Sequence, residues 1–268
     1  MTAADGTAGS QGTPNVGVMT VERGLQVLRA FRSDRMPLSN AEIVRRTRLP
    51  KATVSRLTTT LMQLGYLRHV PEGRQFELGT AALRIGHAYA GASRLTELAN
   101  PLLQEVADRL GVSVALSMRD GVDILYLGYK ASERVATLRM GVGTVLPIGV
   151  TAGGHAYLWG MSSQERGSLV AELQRRAADP ARLDQILRGS FAELDATGTC
   201  ALFGEYQRDV YAAAVPIHAG RERVLMALSC GKVLVQPDLA AERRRIAPVL
   251  REASVQLEGM LSEFDGQP

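Results

Sequence analysis

Cysteine is scarce in this chain, with two in 268 residues, Cys200 and Cys230. They show no metal-type spacing and suit a reduced cytoplasm, so a disulfide framework is excluded and buried strand thiols are expected. Aromatic residues make up only 5%. No apolar run approaches the roughly 20 residues of a membrane-spanning helix. Residues 1–18, MTAADGTAGSQGTPNVGV, hold no Lys or Arg. They lack the basic start and apolar core of a secretory signal and read as a disordered tail. The missing charge also argues against a DNA-contacting arm. There is no nucleophile elbow, phosphate loop or metal cluster, so no cofactor or metal is expected.

What is present begins with LPKATVSRLTTTLMQLGYL, residues 49–67. Val54, Leu57, Leu61 and Leu64 fall on one helical face, while Lys51, Thr53, Ser55, Arg56 and Thr59 fall elsewhere, mostly near the helix start. Alone, such a polar face is as often simply solvated. Upstream, PLSNAEIVRRTRLP predicts a short helix with Ser39 or Asn40 as N-cap, Glu42 in its first turn and Ile43 and Val44 on its apolar side. Pro50 disfavours helix at Leu49 and suits the start of the next helix. Two short helices with a tight turn and an apolar seam make a helix-turn-helix, whose second helix enters the major groove by its N-terminal residues. Downstream, Tyr66 to Val70 and Gln75 to Leu78 read as strands around the turn PEGR. That hairpin is a wing, with Arg68 and Arg74 available to phosphate.

Charge supports the same assignment. Val21 to Leu78 holds eleven Lys or Arg against five Asp or Glu, a net of +6, whereas the whole chain is +4 and the remainder therefore −2. A basic excess confined to one segment is the footprint of a phosphate-binding module.

Before the helix-turn-helix, residues 20–31 predict a helix with Val21, Leu25, Leu28 and Phe31 on one face, packing behind the pair and supporting a dimer. After the wing the chain is helical to about Leu110, with a junction expected near 91–100 and Pro101 starting a new helix. From Gly111 strands alternate with helices. VSVALSMRDGVDILYLGYK reads as a hairpin and RVATLRM as a third strand. VGTVLPIGVTAGGHAYLWG runs from a strand through Thr151 into a glycine-opened helix. Helices over 162–178 and 181–196, three strands and a helix over 237–261 complete an α+β (α/β) domain with an antiparallel sheet. The expected organisation is a tail (1–18), a winged helix-turn-helix (19–79), a linker helix (80–98) and a second domain (99–265).

With these residues in hand, the chain resembles the IclR-type transcriptional regulators from Val18 to about Leu261. VERGLQVLRAF, LSNAEIVRRTRLPKATVSRLTTTLMQLGYL and RQFELG match that family's winged helix; LPIGVTAGGHAYL resembles its LPLHATALGKALL; AAAVPI with RVLMALSCG resembles its VAAPI and VVAALSVSG. The resemblance implies a homodimer or homotetramer on double-stranded operator DNA. It also implies a GAF-like C-terminal domain that binds a small effector and changes DNA affinity. The operator should be near-palindromic. The DNA-contact candidates are Ser39, Lys51, Ala52, Thr53, Ser55, Arg56, Thr59, Arg68 and Arg74. Ala52 and Ser55 stand where the family has Ser and His, so base preference should differ there.

The family's ligand positions map onto Gly153, Gly154, His155, Leu202, Ala212, Ser229 and Gly231, with Met140 and Leu146 as lining candidates. Here an acid has become Leu202, a thiol Ala212 and a hydroxyl Gly231, while Ser229 persists. The exchange implies an effector with an apolar body and at most one anionic or carbonyl end, held on the Gly153 and Gly154 amides. His155 is either a ligand hook or a packed helix-face residue, the second being commoner for a buried imidazole. Among rival readings, a thiol–histidine enzyme lacks an orienting Asn, Asp or Glu. An architectural DNA binder would not need the long C-terminal domain. That domain sensing a protein partner is the third.

Overall fold

The computed structural model describes residues 16–32, 36–71, 73–133, 135, 140–235 and 238–263. The chain divides into two units, 1–88 and 89–268.

In the first unit, α1 (Val16–Arg29), α2 (Asn40–Thr47) and α3 (Lys51–Gln63) pack on a small sheet of β1 (Leu38–Ser39), β2 (Leu67–His69) and β3 (Gln75–Leu78) in the order β1-β3-β2. The helix α1 starts at Val16, so the last residues assigned to the tail are helical; 1–15 lie outside the described residues. Its packed face is the expected one only at its C-terminal half. Val27 and Ala30 are buried with Leu28 and Phe31 against them, while Val21 and Leu25 are exposed. The expected face picked the larger side chains, but Gly24 and Ala30 let the helix approach along the stripe one residue away. Ser39 caps α2 by accepting from the Glu42 amide (3.2 Å). Arg48 ends that helix in the left-handed region, φ 58°, its amide donating to the Val44 carbonyl at 2.8 Å. Pro50 then opens α3, as the sequence predicts. Leu38 pairing with Phe76 adds a strand that sequence reading did not anticipate.

The helix α4 (Thr80–Ala92) has no buried residue and spans the division between the units. The helix α5 (Arg94–Leu110) follows, capped by Ser93, whose hydroxyl accepts from the Thr96 amide at 3.3 Å. The break therefore falls at Ser93. Gly91 lies within α4 and Pro101 within α5, contrary to the expected helix start. Pro101 is on the exposed side, where the carbonyl it leaves unbonded faces water, and Leu95, Ala99, Leu102, Leu103 and Val106 hold the helix down along its other side.

In the second unit, β4 (Ser113–Asp120), β5 (Asp123–Ala131), β6 (Val145–Pro147), β7 (Cys200–Phe203), β8 (Val210–Ala219) and β9 (Val224–Val233) form one antiparallel sheet in the order β6-β5-β4-β9-β8-β7. Two three-stranded meanders thus join edge to edge through β4 and β9. The helices α6 (Ala152–Gly160), α7 (Ser163–Arg176) and α8 (Pro180–Thr197) carry the chain from one outer edge to the other. Alternation sorts the two sheet faces. Val114, Leu116, Tyr211, Ala213, Val215, Met226 and Leu228 pack towards α5 and α9 (Leu239–Met260). Ile124, Ala214 and Ala227 pack with Ala152 and Ala156 of α6. Covering on both faces explains why β4 is buried over its first five residues instead of alternating. Of RVATLRM, only Val135 and Met140 are among the described residues. No helix is long and apolar enough to cross a membrane among the described residues.

Candidate functional site

The first unit presents α3. Val54, Thr58 and Leu61 are buried, with Leu57 partly so, and they tie the helix to the unit's core. Thr58 is 1% exposed and donates to Asn40 Oδ1 (3.3 Å) and to the Ser55 carbonyl (3.1 Å). Leu64, expected on the apolar face, is the exposed C-cap. At 3.6 residues per turn, Lys51, Ala52, Ser55, Arg56 and Thr59 fall within an arc of roughly 140° on the opposite side, and all five are exposed. Thr53 lies at its margin, half-buried. Thr59 donates back to the Ser55 carbonyl at 3.0 Å, leaving its hydroxyl oxygen to accept. Ser39 is committed to the α2 cap. On the wing, Arg68 pairs with Glu77 across the strands at 2.7 Å, and Arg74 is exposed beside the tip; Glu72 lies outside the described residues. An exposed pair of this kind contributes about 1 kcal/mol or less, so Arg68 can exchange Glu77 for a phosphate at small cost.

The second unit holds a cavity between the sheet and the N-terminus of α6. About 580 Å³ of empty space opens there, mouth included, and its lining is mostly apolar. Met140, Leu146, Gly153, Leu202, Ala212, Ser229 and Gly231 all line it, so seven of the nine sequence candidates converge.

The other two do not line it. Gly154 packs its α-carbon under the 3₁₀ turn over Ile148–Val150, where a Cβ would come within 2.0 Å of the Ile148 carbonyl oxygen. Its amide donates to Thr151 Oγ1 at 3.3 Å in the cap of α6, so it is not the ligand anchor that sequence reading made it. His155 is wholly buried, with Nδ1 2.7 Å from Ser190 Oγ and Nε2 2.8 Å from the Gly149 carbonyl. A carbonyl only accepts, so Nε2 carries the proton and Nδ1 accepts from Ser190. Burial lowers the imidazole to about 4, keeping it neutral. The ring bolts α6 to α8 and to the 3₁₀ turn.

Sequence reasoning missed the hydroxyl set of the cavity. Ser113 and Tyr126, Tyr129 and Tyr206 line it with Thr151, Glu205 and Gln207. Tyr126 and Tyr129 stack at 6.2 Å and 15°. Tyr126 hydrogen-bonds Ser229, and burial, then the neighbouring Tyr129, raises its phenol; burial also raises Tyr129, which bonds Ser113. Both phenols are neutral. Ser113 Oγ donates to the Gly231 carbonyl at 2.9 Å. Gly153 lets α6 approach the sheet, since a Cβ there would lie 3.3 Å from Ser229 Oγ. The missed residues come from β4, β5 and the loop before β8. The signal was available in Ser113 and Ala115, small residues of one strand parity, but only strand pairing brings them to Ser229 and Gly231. No Lys, Arg or His lines the cavity among the described residues; its one charged side chain, Glu205, is ion-paired to Arg182 of α8.

The thiol–histidine reading fails on this geometry. His155 is occupied on both nitrogens. Both thiols are buried; burial raises Cys200, and Cys230 is pushed up to about 12.

An exposed, basic winged helix-turn-helix beside a domain enclosing a small-molecule cavity defines a one-component regulator of transcription. The first unit is matched by the family described as IclR helix-turn-helix domain over residues 20–71, and the second by Bacterial transcriptional regulator IclR C-terminal over 87–258. The Pca regulon regulatory protein of Pseudomonas putida is 31% identical over 242 residues, 88% of this chain and 81% of the relative. An IclR family transcriptional regulator from Brucella abortus superposes with a TM-score of 0.81 at 31% identity, covering 90% of this chain and 92% of the other. An IclR homologue from Microbacterium hydrocarbonoxydans, solved in complex with 4-hydroxybenzoate, shares the fold with a TM-score of 0.65 at 23% identity, covering 90% and 98%. The chain belongs to the IclR family. It is a ligand-responsive, DNA-binding transcriptional regulator, not an enzyme, and its partners are operator DNA and a small effector.

Proposed function

We propose that this regulator acts in the cytoplasm, binds a near-palindromic operator as a dimer or tetramer, and senses a single-ring aromatic acid. The observation that carries the effector class is the cavity lining. Tyr126, Met140, Leu146 and Leu202 offer an apolar slot, and the polar groups are hydroxyls and backbone amides, with Gln207 and the ion-paired Glu205 and no cation among the described residues. Apolar lining with a few placed polar groups is the usual pattern of a small-molecule site. The ring lies in the slot, and its carboxylate or carbonyl end meets the Gly153 amide and Ser229. The exposed Arg68, Arg74, Lys51 and Arg56 supply the DNA contacts, Arg68 and Arg74 from the wing. A homologue holding 4-hydroxybenzoate supports the aromatic reading.

Assembly is supported by apolar surface left exposed among the described residues of one chain. Val21 and Leu25 on α1 and Leu83, Ile85 and Tyr89 on α4 are exposed, Leu83 by 72%. Two-fold symmetry of the protein then sets the symmetry of the half-sites. Light scattering at micromolar concentration tests this, and a monomer with and without DNA overturns it. Calorimetry tests the effector class. 4-Hydroxybenzoate should bind, and glyoxylate and small dicarboxylates should bind far more weakly. The reverse order refutes the reading.

A further inference from the structure

The strand β7 is an outer edge of the large sheet, and Leu202 lies at its third position, paired with Ala212. Leu202 lines the effector cavity. It also lines a separate surface groove with Ile186, Gly189, Ser190, Glu193, Ala201 and Arg243, between α8 and the start of α9. Among the described residues, Leu202 is the one member common to both linings. On the cavity side it belongs to the apolar lining with Met140 and Leu146. The groove is already open at Gly189, where an added Cβ would meet nothing within 4 Å. Its floor is firm, because Glu193 is held by Arg243 at 2.8 Å and by the Ala201 amide at 3.2 Å, and Ser190 is held by His155.

We propose that Leu202 is the stop that sets the length of effector this regulator accepts, a side-chain partition between the cavity and a groove that would otherwise extend it. The proposal rests on the aromatic-acid reading above. A side chain that walls off pre-existing space differs from one that merely fills a core. Shortening a core residue leaves an enclosed void. Shortening Leu202 joins two spaces whose remaining walls stay in place, so the gain goes to longer ligands specifically. An added ring then finds apolar wall at Ile186 and leaves the pocket along the edge of β7.

The test compares 4-hydroxybenzoate with 4-phenylbenzoate by calorimetry on the full chain. The wild type should bind 4-hydroxybenzoate and bind 4-phenylbenzoate at least tenfold more weakly. Leu202→Ala should shift the affinity ratio of 4-phenylbenzoate to 4-hydroxybenzoate at least tenfold toward the two-ring acid. Leu202→Met, which keeps a long side chain, should retain the wild-type exclusion. Leu146→Ala enlarges the cavity at a wall the groove does not share and should bring no comparable gain. A cooperative thermal unfolding transition close to that of the wild type reports that each variant is folded. The partition is overturned if Leu202→Ala gains nothing for the two-ring acid, or if Leu146→Ala gains as much. If neither acid binds the wild type or Leu202→Ala, the aromatic reading and the partition fall together; if only the single-ring acid binds both proteins, the partition alone falls.

Discussion

The two units solve recognition in opposite ways. The proposed DNA-reading face is one helix side and the wing next to it: five exposed positions within nine residues of α3, with Arg68 and Arg74. The proposed effector cavity collects residues from all six strands β4 to β9, the 3₁₀ turn, α6 and the loops between, spread from Ser113 to Gly231. The first surface is convex, exposed and basic. The second is concave, mostly apolar, and without a lining cation among the described residues. Long-range phosphate attraction suits an exposed helix, whereas a small uncharged body must be gripped by shape from several sides. The difference teaches why one chain tolerates +6 in one segment and −2 elsewhere: the charge is placed where the ligand is a polyanion.

The comparison predicts that the two units break differently, most severely where backbone meets backbone. Gly154→Ala places a Cβ 2.0 Å from the Ile148 carbonyl oxygen. It should destabilise the second unit by about 3 kcal/mol or more in denaturant unfolding, within the range of overpacked and strained sites. Gly153→Ala meets side chains instead of backbone, Ser229 Oγ at 3.3 Å and Cβ at 3.4 Å and Ser117 Oγ at 3.6 Å, and should fold but bind effector more weakly. Equal unfolding of the two variants would remove the distinction drawn between these glycines.

Acid should also act on the second unit. His155 is neutral in the folded state, lowered by burial to about 4 from 6.5. Between these values the unfolded chain binds the extra proton, so stability is retained above about pH 6.5 and falls as the pH drops toward 4. The loss between pH 7 and pH 5 should be about 2 kcal/mol. Urea midpoints at the two pH values check it, and a loss of the same size in His155→Gln would assign the effect to other groups.

Within the cavity, Leu202→Asp should cut affinity for an aromatic acid more than tenfold by calorimetry, because a carboxylate must be desolvated against the ring. Operator binding without effector should be unchanged. On the reading helix, Arg56→Ala and Lys51→Ala should weaken operator binding without altering thermal stability. A lost phosphate contact lowers the salt slope by about one, and a lost base contact costs about 1–3 kcal/mol at one base pair. Parental footprints from both variants would break the assignment of α3.

Legibility in the sequence followed the same divide. The helix α3, its Pro50 start and the wing strands were readable, because capping, periodicity and turn chemistry act over a few residues. The buried stripe of α1 was misread, since Gly24 and Ala30 pack by being small where the periodic pattern counts bulk. Pro101 was misread because the burial that outweighs its lost hydrogen bond is tertiary. In the cavity, Leu202, Ala212 and Ser229 came from resemblance to the family. Tyr126 and Ser113 were invisible because their meeting with Ser229 depends on the β4–β9 pairing that joins the two meanders. His155 and Gly154 drew attention as polar or flexible, but a carbonyl at close range accounts for both.

The most direct measurement is the affinity of the full chain for 4-hydroxybenzoate and for glyoxylate, with and without Ser229→Ala, by calorimetry. The account predicts that the aromatic acid binds the wild type in preference to glyoxylate and loses about tenfold, roughly one hydrogen bond to a charged group, when Ser229 becomes Ala. Tight glyoxylate binding with no response to the aromatic acid would contradict it.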